Sequence, residues 1–184
     1  MQKNLKGKII TVVGPSGVGK DTLIQNAKKI LPFYFPKRII TRLENEKENE
    51  DFISVSLEEF RDKKKRGEFS LFWEAHEIHY GIPISVDQKI NEGNIVIFNG
   101  SREAIPLIKK KFSELKIIHI HADKKVLEKR LLLRGRESLD QIKLRLNRQN
   151  FQINKDAIVI NNNKLISLVL KEFIEKINLI SRSD

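Results

Sequence analysis

Cysteine is absent from the 184 residues. That absence excludes disulfides, thiolate metal sites and thiol nucleophiles, and it leaves the redox compartment unmarked. Long apolar runs are missing too. No stretch approaches the roughly 18 residues of a membrane-spanning helix, and the opening MQKNLKGKII leads into a strand pattern without the apolar region of a signal peptide. A single cytoplasmic domain is expected: the length suits one compact unit with a substantial core, and no repeat, linker or low-complexity tract divides it. Acidic charge is in short supply, with 24 Asp and Glu against 35 Lys and Arg, a formal net charge of +11. A polyanionic partner such as nucleic acid is one reading of that excess. Much of it, however, is lysine in runs such as Lys63, Lys64, Lys65 and Lys109, Lys110, Lys111, which read as solvated helix faces, and no nucleic-acid recognition motif accompanies them. The arginines differ: Arg130, Arg134, Arg136, Arg145 and Arg148 fall within nineteen residues, and the guanidinium fork suits phosphate.

What is present is an alternation of strand and helix patterns, the signature of a mostly parallel sheet covered by helices. KIITVV at 8–13 is a β-branched run, followed by glycines and by Leu23, Ala27 and Ile30 at helical spacing, up to Pro32. Residues 38–42 (RIITR) predict a second strand, and the acidic stretch from Glu44 to Asp51 a loop. Ser56 with Glu59 forms a capping box that starts a helix at about 57–66. Strands are predicted at 69–76, 79–84, 94–98, 116–122 and 157–160, with helices after 102 (Ile105, Ile108, Phe112 inward) and after 122 (Leu127, Leu131 inward). Ser138 and Gln141 make a second capping box, and Leu165, Leu168, Val169, Phe173, Ile177 and Ile180 a final helical stripe.

GPSGVGKD at 14–21 satisfies G-x-x-x-x-G-K directly between a strand and a helix. Gly14, Pro15, Ser16, Gly17, Val18 and Gly19 predict a tight turn whose amides, with the helix N-terminus, cradle nucleotide phosphates. Lys20 is then placed to neutralise the β- and γ-phosphates of ATP. Where Ser or Thr normally ligates Mg²⁺ the chain has Asp21, followed by Thr22. A carboxylate is a hard oxygen ligand, so Asp21 is the expected metal residue, replacing the acidic group that Asn99 does not provide.

These features resemble the guanylate-kinase-like branch of P-loop nucleotide kinases across the whole chain. GPSGVGK, the ITR at 40–42, the YG at 80–81 and the L-x-x-R-L-x-x-R-G from Leu127 to Gly135 carry the likeness. It implies a P-loop NTPase of the α/β class over residues 1–184, with a five-stranded mostly parallel sheet, a small acceptor-binding lobe at about 34–93 and an arginine-rich lid at about 134–148. The guanine-reading position of such kinases, a glutamate in F-L-E-x-A, aligns with Trp73, and an indole cannot accept hydrogen bonds from a base. A narrower resemblance, to the ribose 1,5-bisphosphate phosphokinases of phosphonate metabolism, matches G-K-D-[ST]-L at 19–23, E-D-x-I-x-V-S at 50–56, F-x-L-x-W-x-A-H at 69–76, Y-G-I-P at 80–83, N-G-S-R at 99–102 and R-G-R-E at 134–137. Leu43 in place of a proline, Phe52 in place of a histidine and an acidic loop one residue longer depart from that pattern.

The resemblance implies transfer of the γ-phosphoryl group of ATP, with Mg²⁺, to a phosphate of ribose 1,5-bisphosphate, giving 5-phosphoribosyl 1-diphosphate. Lys20, Arg130, Arg134, Arg136 and Arg145 are expected around the transferring group. Arg38, Arg42 and Tyr80, with Arg102 and Arg148, are expected on the phosphorylated sugar. His76, His79, His119 and His121 have no consistent ligand spacing. A guanylate kinase with altered base recognition, a non-catalytic phosphopeptide-binding module and a nucleic-acid binder remain as alternatives.

Overall fold

In a computed structural model the described residues are 7–43, 51–75, 77–135, 138–147 and 155–183, without the side chains of Arg134, Gln141, Arg145 and Asn147. In chain order the elements are β1 (Lys8–Val13), α1 (Lys20–Lys28), β2 (Arg38–Ile40), β3 (Phe52–Ser54), α2 (Leu57–Lys65), β4 (Phe69–Ala75), β5 (Ile78–Pro83) and α3 (Ser85–Asn91). They continue with β6 (Ile95–Asn99), α4 (Ile105–Lys111), β7 (Lys116–His121), α5 (Lys124–Arg134), α6 (Leu139–Asn147), β8 (Ala157–Asn161) and α7 (Ile166–Arg182). Among them no helix is long and apolar enough to cross a membrane.

Continuous β-branched runs need both faces covered, and sheet one supplies such a setting: β6-β1-β7-β8, all parallel. Ile10 and Val12 of β1 point into a core shared with α1, α5, α6 and α7, where Leu23, Leu127, Leu131, Phe173 and Ile177 are buried. Ile9 and Val13 point the other way, towards α3, α4 and the second sheet. This second sheet, ordered β3-β2-β5-β4, is mixed: β2 pairs parallel with β3 and antiparallel with β5, and β5 antiparallel with β4. Its inner residues Ile40, Phe52, Leu71 and Ile82 join the same core as Val96 and Phe98. On its outer face Ile39 and Phe69 pack with Val55, just past β3, and with Phe60 of α2.

The parallel sheet has four strands rather than the five expected. The missing strand is reduced to one parallel bridge between Tyr34 and Val96, with the Tyr34 amide donating to Ile95 O at 2.9 Å and Ile97 N to Tyr34 O at 2.9 Å. Pro32 and Pro36 flank it, and neither offers an amide to extend the ladder. Three expected core positions are also exposed. α1 stops at Lys28, so Ile30 turns outward and Leu31 is buried instead. Leu165 and Leu168 lie on the solvent side of the start of α7, and the buried stripe is Val169, Phe173, Ile177 and Ile180.

The capping box at Ser56 forms, its hydroxyl accepting from Glu59 N at 3.1 Å. α6 begins directly after Ser138, at the second one. β4 carries a register slip between Phe69 and Leu71. At the slip, Ser70 O receives the Lys111 ammonium at 2.7 Å, and Ser70 Oγ and Lys111 both bond the carboxylate of Asp87. Lys111 is thus a strut from α4 to β4 and α3 rather than one member of a solvated run.

Candidate active site

The loop after β1 turns inward because three of its residues adopt positive φ: Gly14 at 151°, Gly17 at 80° and Gly19 at 91°. A side chain at Gly19 would be strained by its backbone and would also sit 2.7 Å from the amide nitrogen of Asn162. Gly19 caps α1 without a side-chain bond, and Leu23 N reaches back to Gly19 O, so the first amides of α1 face the loop. Lys20 Nζ folds over this turn and donates to Gly14 O at 2.9 Å and Pro15 O at 3.1 Å. Val18 is buried beneath the loop, Ser16 is exposed, and Thr22 lies on α1, where its carbonyl accepts from the Asn26 amide.

The back of the loop is held by Arg130 and by one group the sequence pattern did not single out. Asn162, just past β8 and 1% exposed, donates from Nδ2 to Val18 O at 2.7 Å, while its own amide donates to His121 O. Arg130 on α5 bonds the same region, with Nη2 to Asn162 O at 2.9 Å and Nη1 to Val18 O at 3.5 Å. Arg130 therefore reaches the loop itself from the helix expected to carry it. Only the repeated asparagines at 161–163 hinted at a polar anchor after the last strand.

Asp21, on the first turn of α1, accepts from Asn99 Nδ2 at the end of β6 at 2.6 Å. The other amide atom, Asn99 Oδ1, is buried without a hydrogen-bond partner among the described residues. A carboxylate beside an unpartnered amide oxygen is a hard-oxygen environment that fits Mg²⁺, which takes one or two protein oxygens and completes its shell with water and phosphate. Among the described residues no group of three or more His, Asp or Glu could hold a metal alone, and a site shared with substrate phosphates requires none.

Arg38, Arg42 and Tyr80 come together on the second sheet. Arg42 donates to the Tyr80 hydroxyl at 3.3 Å, the Arg38 guanidinium lies 5.2 Å from the Tyr80 ring centroid, and Trp73 stacks on Tyr80 at 5.4 Å and 9°. Burial lowers the pKa of Arg38 to about 10, opposed by the nearby carboxylate of Asp21 and by Tyr80. Arg38, Asp21 and Asn99 line one open cleft, which places the first of these arginines beside the start of α1. Arg102 sits past β6, held below its ordinary pKa by burial, and acts electrostatically on His119. His119 on β7 is 5% exposed; burial, then Arg102, His121 and Lys20, lower its pKa to about 4. Arg136, Arg148 and His76, with the side chains of Arg134 and Arg145 and the segment 44–50, lie outside the described residues.

The guanylate kinase family model matches residues 6–177. A ribose 1,5-bisphosphate phosphokinase PhnN from Agrobacterium fabrum is 43% identical over 153 residues, 80% of this chain and 82% of that one. Its counterpart from Brucella melitensis is 36% identical over 182 residues, 96% of this chain and 94% of that one. Among solved structures, a guanylate kinase from Anaplasma phagocytophilum superposes with a TM-score of 0.64 at 20% identity, over 97% of this chain and 86% of that one, a likeness of fold. Similarity along nearly the whole length makes the chain a member of the guanylate kinase family, an ATP-dependent phosphotransferase of the branch formed by the ribose 1,5-bisphosphate phosphokinases.

Proposed function

We propose that the protein transfers the γ-phosphoryl group of ATP to the 1-phosphate of ribose 1,5-bisphosphate, giving 5-phosphoribosyl 1-diphosphate and ADP. A phosphate oxygen of the acceptor attacks the γ-phosphorus as the bond to the ADP oxygen breaks. With a second pKa near 6 that oxygen is already deprotonated at neutral pH, so the reaction needs no general base. The task is to hold two polyanions in line and to offset their repulsion.

The carrying observation is the cluster on the second sheet. A buried guanidinium (Arg38), a second one bonded to a hydroxyl (Arg42 to Tyr80) and an indole stacked on that phenol offer donors and positive charge. Two arginines suit a sugar phosphate. In this reading the lobe at about 34–93 takes the acceptor, with Arg102 near its 1-phosphate. Lys20 and Arg130 attend the phosphates of ATP, and a lid at about 134–148 brings Arg134, Arg136, Arg145 and Arg148. Asp21 and the oxygen of Asn99 would hold Mg²⁺, which neutralises charge developing on the phosphates. The glycines of the loop let its amides approach those phosphates, and Lys20 exchanges its carbonyl partners for phosphate oxygens.

Incubation of the protein with ATP and Mg²⁺ and either ribose 1,5-bisphosphate or GMP tests the assignment. ADP formation with the sugar and none above background with GMP is expected. The reverse preference overturns it.

A further inference from the structure

α1 turns one face to the cleft that Arg38 also lines. Asp21, Gln25 and Lys28 stand at i, i+4 and i+7 and all line it, so a stripe runs along the helix from a carboxylate through a carboxamide to an ammonium. The far end of the stripe is answered within the protein: Lys28 and Lys37 both pair with Asp51, at 3.4 and 2.8 Å. At the near end Asp21 accepts from Asn99. Gln25 between them is half-buried, and its carboxamide takes part in no hydrogen bond among the described residues. Its neighbour Asn26 behaves otherwise, donating to Thr22 O of the same helix at 2.8 Å.

The chemistry of that position differs from that of the groups around it. An ionised Asp21 only accepts, Lys28 and Arg38 only donate, and the amide of Asn99 already donates to Asp21. Gln25 offers a donor and an acceptor on one plane, the pattern that meets a hydroxyl, which itself donates and accepts. It stands four residues from Asp21, about 6 Å along the helix axis. That is the scale of a pentose: with the phosphate on C1 turned to the Asp21 end, the hydroxyl on C2 comes next along the cleft.

We propose that Gln25 determines acceptor specificity by hydrogen-bonding the 2-hydroxyl of the sugar, and so sets a preference for ribose over 2-deoxyribose. The proposal rests on the acceptor assignment above. It adds to the charged groups that hold phosphate a neutral one that reads the sugar itself. A site that hydrogen-bonds a hydroxyl rejects the analogue lacking it, because its own polar group is then left unpaired.

Initial rates with ATP and Mg²⁺ on ribose 1,5-bisphosphate and on 2-deoxyribose 1,5-bisphosphate give kcat/KM for each sugar. The native enzyme is expected to favour ribose about tenfold, a discrimination within reach of one neutral hydrogen bond. Gln25→Met keeps the length of the side chain and removes both polar atoms. In that variant the ratio is expected to fall to about one through loss of the ribose reaction, while the KM for ATP and the melting temperature stay native. A glutamine with a merely structural role would lower both sugars alike. A native enzyme that takes the two sugars equally, or a Gln25→Met enzyme that keeps the native ratio, overturns the role of Gln25. Should that variant fail to fold, Gln25→Ala, with the strongest helix former at the same place, supplies the same comparison. Failure of the native enzyme to phosphorylate either sugar strikes the acceptor assignment instead, so the two failures are distinct.

Discussion

Lowering the pH from 7 to 4.5 should destabilise this protein through one histidine. His119 lies on the central sheet, its strand paired with Val13 on one side and Val159 on the other. Burial and the positive charges of Arg102, His121 and Lys20 lower its pKa from 6.5 to about 4. Between those values the unfolded chain binds a proton that the folded chain refuses, so the unfolded state gains as pH falls. Stability contributed by the neutral ring is fully present above 6.5, declines through this window and levels off below about 4. At about 1.4 kcal/mol for each pH unit separating the two values, the loss has an upper bound near 3 kcal/mol. Between pH 7 and 4.5 only part of that window is traversed, which leaves about 2 kcal/mol. Carboxylates paired with lysine, such as Asp51 with Lys37 and Lys28, are held below their ordinary range and lose their contributions at lower pH still. Urea unfolding of the native protein and of His119→Gln at pH 7, 5.5 and 4.5 isolates the effect. The native protein should lose about 2 kcal/mol more than the variant over this range; equal pH slopes for the two would refute the burial argument.

Two further outcomes follow from the site. Arg42→Ala should raise the acceptor KM at least tenfold, about 1.4 kcal/mol and within reach of one charged hydrogen bond, while leaving the KM for ATP unchanged; an equal rise in both would remove Arg42 from the acceptor side. Asn162→Ala deletes the 2.7 Å bond that holds Val18 O, so chemical denaturation should report about 1–3 kcal/mol of lost stability, with a raised KM for ATP; a variant of native stability would mean that the loop does not depend on this anchor.

The loop was legible because its chemistry is backbone chemistry: three glycines at fixed spacing permit the positive φ angles that aim amides inward, and no tertiary partner is needed to read them. The capping box at Ser56 was legible for the same local reason. The outcome was different wherever a distant residue decides. Nothing near Lys111 in the chain announces that a slipped residue forty-one positions earlier will present its carbonyl to that ammonium. α3 buries only Val86, too little to write a periodic stripe. Leu165 fits the helical spacing but precedes α7 as its cap, and Leu168 faces solvent one position before the buried Val169, so the stripe begins later than the spacing suggests. The fifth strand failed for want of amides, since Pro32 and Pro36 leave Tyr34 a single bridge. The pairing of Asp21 with Asn99 crosses 78 residues; the sequence showed each as an odd substitution and the fold shows them as one unit.

That unit and Arg38 beside it are positioned by an apolar floor. Ile9, Val13, Val96 and Phe98 from the parallel sheet share one core with Ile40, Phe52, Leu71 and Ile82 from the mixed sheet, so Arg38 approaches Asp21 as part of a packed surface. A guanidinium in such a place pays for its desolvation through Asp21 and Tyr80 only in part, as its lowered pKa records. On the proposed reaction, polyanionic substrates complete the compensation: a buried, fixed positive charge is worth more to a phosphate than it would be in water, and it needs no reorganisation when negative charge shifts during transfer. Positive charge stationed before the substrates arrive is, on this proposal, what joins the fold to phosphoryl transfer.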